Sequence, residues 1–369
     1  MRVVACACIV DYSLQGGFIL TYAPFATTRR RLIFSALALP LVGALSRIDA
    51  YAQEATPAAP TSSLGWTDSF EENNGKLNVA TTVAPISSIV RNVGGSRINL
   101  RGIVPDGTNS HTFEPAPSDA RILGLADLVI VNGLQLEDPT IELANANLKE
   151  GAEIYELGDR TITPEEYRYD FSFPEEDGKP NPHLWVNVPF AAKYAELAEA
   201  KLSERDPANA EYYRQNLALY LELLNSLDAG IAASVQTIPE QNRKLLTYHD
   251  SYAYFAQHYG MTVIGAVQPS DFSEPSPKEV SALIDQVKSE GIPAVFGSEV
   301  FPSTVLEQIA KEAGAVYVDQ LRDDDPPGEP KAPEHTYVGM MLKNMSLMAP
   351  ALGGNADALS GVFPFDTYQ

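Results

Sequence analysis

Residues 207–238, PANAEYYRQNLALYLELLNSLDAGIAASVQTI, decide the architecture. Tyr213, Leu217, Tyr220, Leu224, Leu227, Ile231 and Val235 recur at intervals of four and three, the spacing that lines one face of an α-helix. Asp206-Pro207 supplies a start, because proline in the first turn sacrifices no needed backbone donor, and Pro239 supplies the stop. At 1.5 Å per residue the helix is about 45 Å long, more than one small domain needs to cross its core. It reads as a strut between two domains, with a helix packed inside a single core as the alternative.

On either side of this helix the chain alternates between strand-like and helix-like patterns. Upstream, residues 77–83, 98–104 and 128–131 read as strands. The helices between them are a segment with Ile86, Ile89, Val90 and Val93 on one face, closed by Gly94-Gly95, and residues 118–126. Downstream, residues 244–248, 262–266, 294–297 and 316–318 read as strands, with helices over 251–259, 277–289 and 303–313. The βαβ alternation favours parallel sheets. The expected fold is α/β: two lobes with parallel-type sheets, residues 76–206 and 239–369, joined by one long rigid linking helix over 207–238.

The chain has 369 residues, enough for two cores, and a formal net charge of −22. Such acidity repels phosphate backbones and anionic lipid, so nucleic-acid binding is not expected. Residues 1–52 carry an export signal: Arg29-Arg30-Arg31 leads into an apolar run ending near Leu45, and Ala50-Tyr51-Ala52 makes a small-x-small cleavage pattern. The paired arginines resemble a twin-arginine signal. Cys6 and Cys8, the only cysteines, precede the cut, so neither disulfide nor thiolate ligand is expected afterwards, nor a lipid anchor. Residues 53–75 read as a flexible tether. The expected product is exported, periplasmic or extracytoplasmic, and monomeric.

Five histidines offer chemistry. His111, His183 and His249 follow one another at intervals of about 70 residues, which excludes a local motif of the H-E-x-x-H type and requires any metal site to be assembled by the fold. His111, His183 and His249 read as lying at the ends of predicted strands, where open α/β sheets bind ligands. His258 reads as a surface residue near a helix end, and His335 as a solvated loop residue or one that shields or assists a nearby site.

Several separated stretches resemble one family, the metal-specific solute-binding proteins of ABC importers for zinc and manganese. Val104-Pro105 through His111-Thr112-Phe113-Glu114-Pro115 resembles its first ligand loop, and Asn181-Pro182-His183-Leu184-Trp185 its second. His249-Asp250-Ser251-Tyr252 is similar to the third and Val316-Tyr317-Val318-Asp319-Gln320-Leu321 to the fourth. The resemblance implies His111, His183, His249 and Asp319 as metal ligands, two from each lobe. Three imidazoles and a carboxylate suit Zn2+, with Mn2+ as the alternative. Glu299 resembles an acidic residue near the family's cleft that orients a ligand histidine, or is a plain surface carboxylate. The resemblance further implies delivery of the ion to an ABC transporter membrane permease, and no enzymatic activity. A metallohydrolase would keep an open coordination position beside a general base, and a surface adhesin that stores metal is the remaining rival.

Overall fold

Two four-stranded parallel sheets with the same strand order flank a pair of long helices. The computed structural model describes residues 66–71, 73–301 and 303–369. The export signal expected over residues 1–52 and most of the tether expected over 53–75 lie outside the described residues.

The first sheet is built from β1 (Leu77–Thr81), β2 (Ile98–Gly102), β3 (Leu128–Val131) and β4 (Glu153–Glu156), in the order β2-β1-β3-β4. Its connecting helices are α1 (Ala84–Gly94), α2 (Pro117–Leu125) and α3 (Asp138–Asn147). Strand β3, Leu-Val-Ile-Val, is buried throughout, as a strand covered on both faces must be. Two further helices, α4 (Val188–Arg205) and α5 (Ala210–Thr237), lead into the second sheet. There β5 (Lys244–Thr247), α6 (Ala253–Tyr259), β6 (Thr262–Ala266), α7 (Pro277–Glu290), β7 (Ala294–Ser298), α8 (Thr304–Ala313) and β8 (Val316–Leu321) give the order β6-β5-β7-β8, and α9 (Tyr337–Ala351) follows. In each sheet the winding reverses between the first and third strands, which opens a crevice at the carboxyl ends.

Helix α5 carries the apolar stripe, but not as a bare strut. Tyr213, Tyr220, Leu224, Leu227, Ile231 and Val235 are buried, while Leu217 is only half-buried and Asn216 takes its place on the buried face. The Asn216 side-chain amide donates to the Val93 carbonyl at 3.0 Å, tying the start of α5 to α1. Toward its other end Asp228 accepts the Tyr259 hydroxyl of α6 at 2.8 Å. Gly230 gives close access to Leu359, whose side chain occupies the space a Cβ would need. One apolar core runs from α1 through α4 and α5 to α9 and Phe296 of β7. Smaller clusters cover the far faces, around Val129 and Leu123 in one sheet and Val295 and Ile309 in the other. The strut and packed-core readings therefore both describe part of what α5 does.

The tether expectation fails where it can be checked. Trp66 and Phe70 are buried, Thr67 bridges antiparallel to Arg101, and Asp68 pairs with the buried Arg91 at 2.6 Å. An indole and a phenyl ring on the sheet edge remove enough apolar surface from water to order this segment.

At the crevice of the first sheet, Glu137 binds the ends of β1 and β3 together. Its carboxylate accepts the Thr82 hydroxyl at 2.6 Å and the Asn132 and Gly133 amides at 2.8 and 3.0 Å. Burial outweighs these donors and lifts its pKa to about 7, from an ordinary 4.5. The folded protein thus keeps a proton that the unfolded chain loses between pH 4.5 and about 7, so this carboxyl's contribution to stability falls as pH rises through that window. Glu137→Ala strips three donors of their acceptor and should cost about 3 kcal/mol in urea unfolding at acidic pH, with a smaller gap from the wild type at pH 8 than at pH 5. A gap that widened with pH would contradict this assignment.

Candidate metal centre

The loops at the carboxyl ends of the strands converge between the sheets. His111 follows β2 in a 3-10 turn, Ser110–Thr112, whose start is fixed by the His111 amide donating to the Asn109 side chain at 2.9 Å. His183 lies in the loop before α4, where Asn132 at the end of β3 donates to the Pro182 carbonyl at 3.0 Å. His249 is two residues past β5, held by the Thr247 hydroxyl donating to its carbonyl at 2.6 Å. The three Nε2 atoms lie 3.1 Å from one another. Ligand atoms on a tetrahedral ion with bonds of about 2.0 Å are about 3.3 Å apart, so the triangle has nearly the dimensions a metal requires.

The rings are oriented from behind. His183 Nδ1 lies 2.7 Å from Asn181 Oδ1, and His249 Nδ1 lies 2.7 Å from Gln268 Oε1. An amide oxygen can only accept, so in both rings Nδ1 carries the proton and Nε2 turns its lone pair toward the centre. Burial brings the pKa of His249 down to about 4 and those of His111 and His183 well below the ordinary histidine range. For His111 and His183 the neighbouring imidazoles push in the same direction. The rings are neutral, as ligation demands.

Asp319 is not brought to the histidines. Strand β8 runs on to Leu321, so Asp319 sits within the strand rather than in the loop beyond it. It is exposed, and its carboxylate accepts the Tyr317 hydroxyl at 3.2 Å and the Gln320 amide at 2.8 Å. The carboxylate at the cluster belongs to Asp323, just past the strand end, whose Oδ2 is 3.7 Å from Nε2 of both His183 and His249. Its backbone is fixed by the Trp185 indole donating to the Asp323 carbonyl at 2.7 Å.

Glu299 does not touch a histidine ring nitrogen either, and it is no surface carboxylate. Its Oε1 accepts the successive amides of Asp323, Asp324 and Asp325 at 3.0, 3.0 and 2.9 Å. That nest shapes the aspartate loop. Asp325 and Asp324 in turn accept the backbone amides of Gly107 and Ser110, at 2.6 and 3.4 Å, joining this loop to the one that carries His111. Burial raises the pKa of Asp323 well above the carboxylate range, and the charges of Glu299, Asp324 and Asp325 add to the shift. A cation at this point relieves that repulsion.

Phe173 and Phe272 cover the imidazoles from opposite loops, with ring centroids 5.4 and 4.6 Å from that of His111. A cavity of about 80 Å³ reaches His111 past Phe173, Phe272 and Lys179. The remaining histidines lie elsewhere. His258 is on the surface, 3.0 Å from Asp228. His335 is buried rather than solvated, stacked on Trp66 at 4.8 Å with its Nε2 3.4 Å from Asp106. The sequence marks Asn181 only as part of the His183 motif, and does not single out Gln268, Asp323 or the two phenylalanines. Asn181 lies two residues ahead of His183, and Gln268 and Asp323 each two residues past a strand end, whereas the phenylalanines carry no signal of position.

Among the described residues His111, His183 and His249 form the group able to hold a metal ion, and none of the helices is long and apolar enough to cross a membrane. Residues 79–351 match the family model described as "Zinc-uptake complex component A periplasmic". The chain is 28% identical over 297 residues to a metal ABC transporter substrate-binding lipoprotein of Streptococcus cristatus, covering 77% of this chain and 91% of that one. It is 29% identical over 286 residues to a manganese-binding lipoprotein of Halalkalibacterium halodurans, covering 78% and 91%. Both relatives are named lipoproteins, so the expectation of no lipid anchor finds no support in them, and the residues it concerns lie outside the described ones. Among solved structures, the periplasmic zinc-binding protein TroA of Treponema pallidum superposes with a TM-score of 0.68 at 27% identity, covering 75% of this chain and 99% of that one. The Mn-bound periplasmic metal-binding protein of Candidatus Liberibacter asiaticus superposes with a TM-score of 0.66 at 25% identity and the same coverage. With two like-ordered parallel sheets and a histidine triangle between them, the chain belongs to this family of periplasmic metal-uptake components, the substrate-binding proteins of metal ABC transporters, and is not an enzyme.

Proposed function

We propose that the protein captures one divalent transition-metal ion, Zn2+ in preference to Mn2+, on His111, His183, His249 and Asp323, and passes it to the membrane permease of an ABC importer. The observation that carries this reading is the triangle of Nε2 atoms at 3.1 Å with a buried carboxylate beside it. Three borderline nitrogen donors and one oxygen favour zinc, whereas manganese prefers a shell richer in oxygen. Mn2+ is the second reading, because the Halalkalibacterium relative is named manganese-binding and the Liberibacter structure is Mn-bound. The protein works outside the cytoplasm, as a monomer, with residues 76–206 and 239–369 as its lobes and 207–238 as their link.

Offered equal zinc and manganese, the stripped protein should take up one zinc per chain by mass spectrometry. His249→Ala should weaken affinity by about two orders of magnitude or more, given that even groups behind the ligands are worth 10- to 100-fold. Stoichiometric manganese in place of zinc would move the assignment to the second reading. Asp323→Ala should lose at least about tenfold in zinc affinity by competition titration, while Asp319→Ala matches the wild type; the reverse order would restore Asp319 as ligand. Because α5 is packed along one face and free of glycine ahead of Gly230, solution scattering should show almost the same radius of gyration with and without zinc. A large compaction would contradict a rigid link.

A further inference from the structure

We propose that Phe272 is a positioning residue of the metal centre: it holds the His111 ring in its ligating orientation and slows exchange of the bound ion. This rests on the metal-binding reading above. Phe272 closes a short turn after β6, its amide donating to the Pro269 carbonyl at 3.0 Å. Its φ of +58° lies in the left-handed region, which bulky side chains avoid and which persists where the surroundings impose it.

Two contacts impose it here. Gln268 donates through Nε2 to the Phe272 carbonyl at 3.4 Å while its Oε1 faces His249 Nδ1 at 2.7 Å. The turn is therefore tied to a ligand of its own half of the chain. The Phe272 ring then reaches to the other half and stacks on His111, with centroids 4.6 Å apart and planes within 20°. Amide oxygens fix the planes of His183 and His249; for His111 the flat contact with Phe272 does so.

The same ring limits access. Phe173, buried, stands 6.2 Å from Phe272 with its plane turned 62°, and the cavity leading to His111 is lined by both. Of the three imidazoles His111 alone is more than marginally exposed. A chelator that removes the ion stepwise must displace His111 or pass the two rings. Phe272 therefore obstructs both routes.

The test uses the purified chain loaded with Zn2+, and follows transfer of the ion to excess 4-(2-pyridylazo)resorcinol by stopped-flow absorbance. Phe272→Ala should release zinc about three- to tenfold faster, the range expected for loss of one stacked aromatic contact. Stoichiometry should remain one ion, and the melting temperature of the metal-free protein should fall by no more than about a few degrees, as loss of one aromatic contact implies. Phe272→Tyr, which keeps the ring, should restore the slow rate. A release rate for Phe272→Ala within twofold of the wild type, or an alanine variant whose faster release is matched by the tyrosine variant, would overturn the proposal. Zinc that the wild type fails to bind, or that His249→Ala retains, would instead overturn the metal-binding reading and this inference with it.

Discussion

Three imidazoles with their Nε2 atoms 3.1 Å apart, beside a cluster of four carboxyl side chains of which Asp323 and Asp324 are buried and Glu299 and Asp325 half-buried, are a charge problem that the protein alone leaves unsolved. Protonated rings at that spacing repel one another, and burial penalises them further, so they stay neutral, with the Nε2 lone pairs of His183 and His249 directed toward His111 Nε2. Glu299, Asp323, Asp324 and Asp325 repel one another in the same volume. A divalent cation answers both conditions at once. It accepts the lone pairs and offsets the carboxylate charge.

The fold creates this spot by using one device twice. Each sheet reverses its winding between its first and third strands, and each thereby presents loops at its carboxyl ends. His111 and His183 come from the first half, and His249 and Asp323 from the second. Helix α5 and the continuous core beside it pack against elements of both halves, and the three imidazoles already meet. The backbone amides of Gly107 and Ser110, accepted by Asp325 and Asp324, draw the two ligand loops together directly. The cost of organising the site is met largely during folding.

Local patterns made much of this legible. The stripe of α5 and the alternation of strands and helices are consequences of periodicity, and they survive in the structure with small changes, such as Asn216 replacing Leu217 on the buried face. Helix α9 went unread because Met340, Met341, Met345 and Met348 form too apolar a run to show which face is buried. Trp66 and Phe70 were read as tether because their partners on the sheet edge are remote in sequence. The three histidines are identifiable through their surrounding motifs, but the carboxylate that the fold sets beside them is not. Asp319 carries the motif, whereas the length of β8 decides which carboxylate emerges at the crevice, and strand ends are poorly marked by sequence. His335 was misread for a related reason: a loop rich in proline and charge gave no sign of the indole against which it stacks.

The most direct test of the account is the position of the ion itself. Anomalous diffraction at the zinc edge, from crystals of the zinc-loaded protein, should show one peak per chain about 2.0–2.2 Å from Nε2 of His111, His183 and His249 and from an oxygen of Asp323. A peak coordinated by Asp319 and lacking any one of the three imidazoles, or no ordered peak between the two sheets, would contradict it.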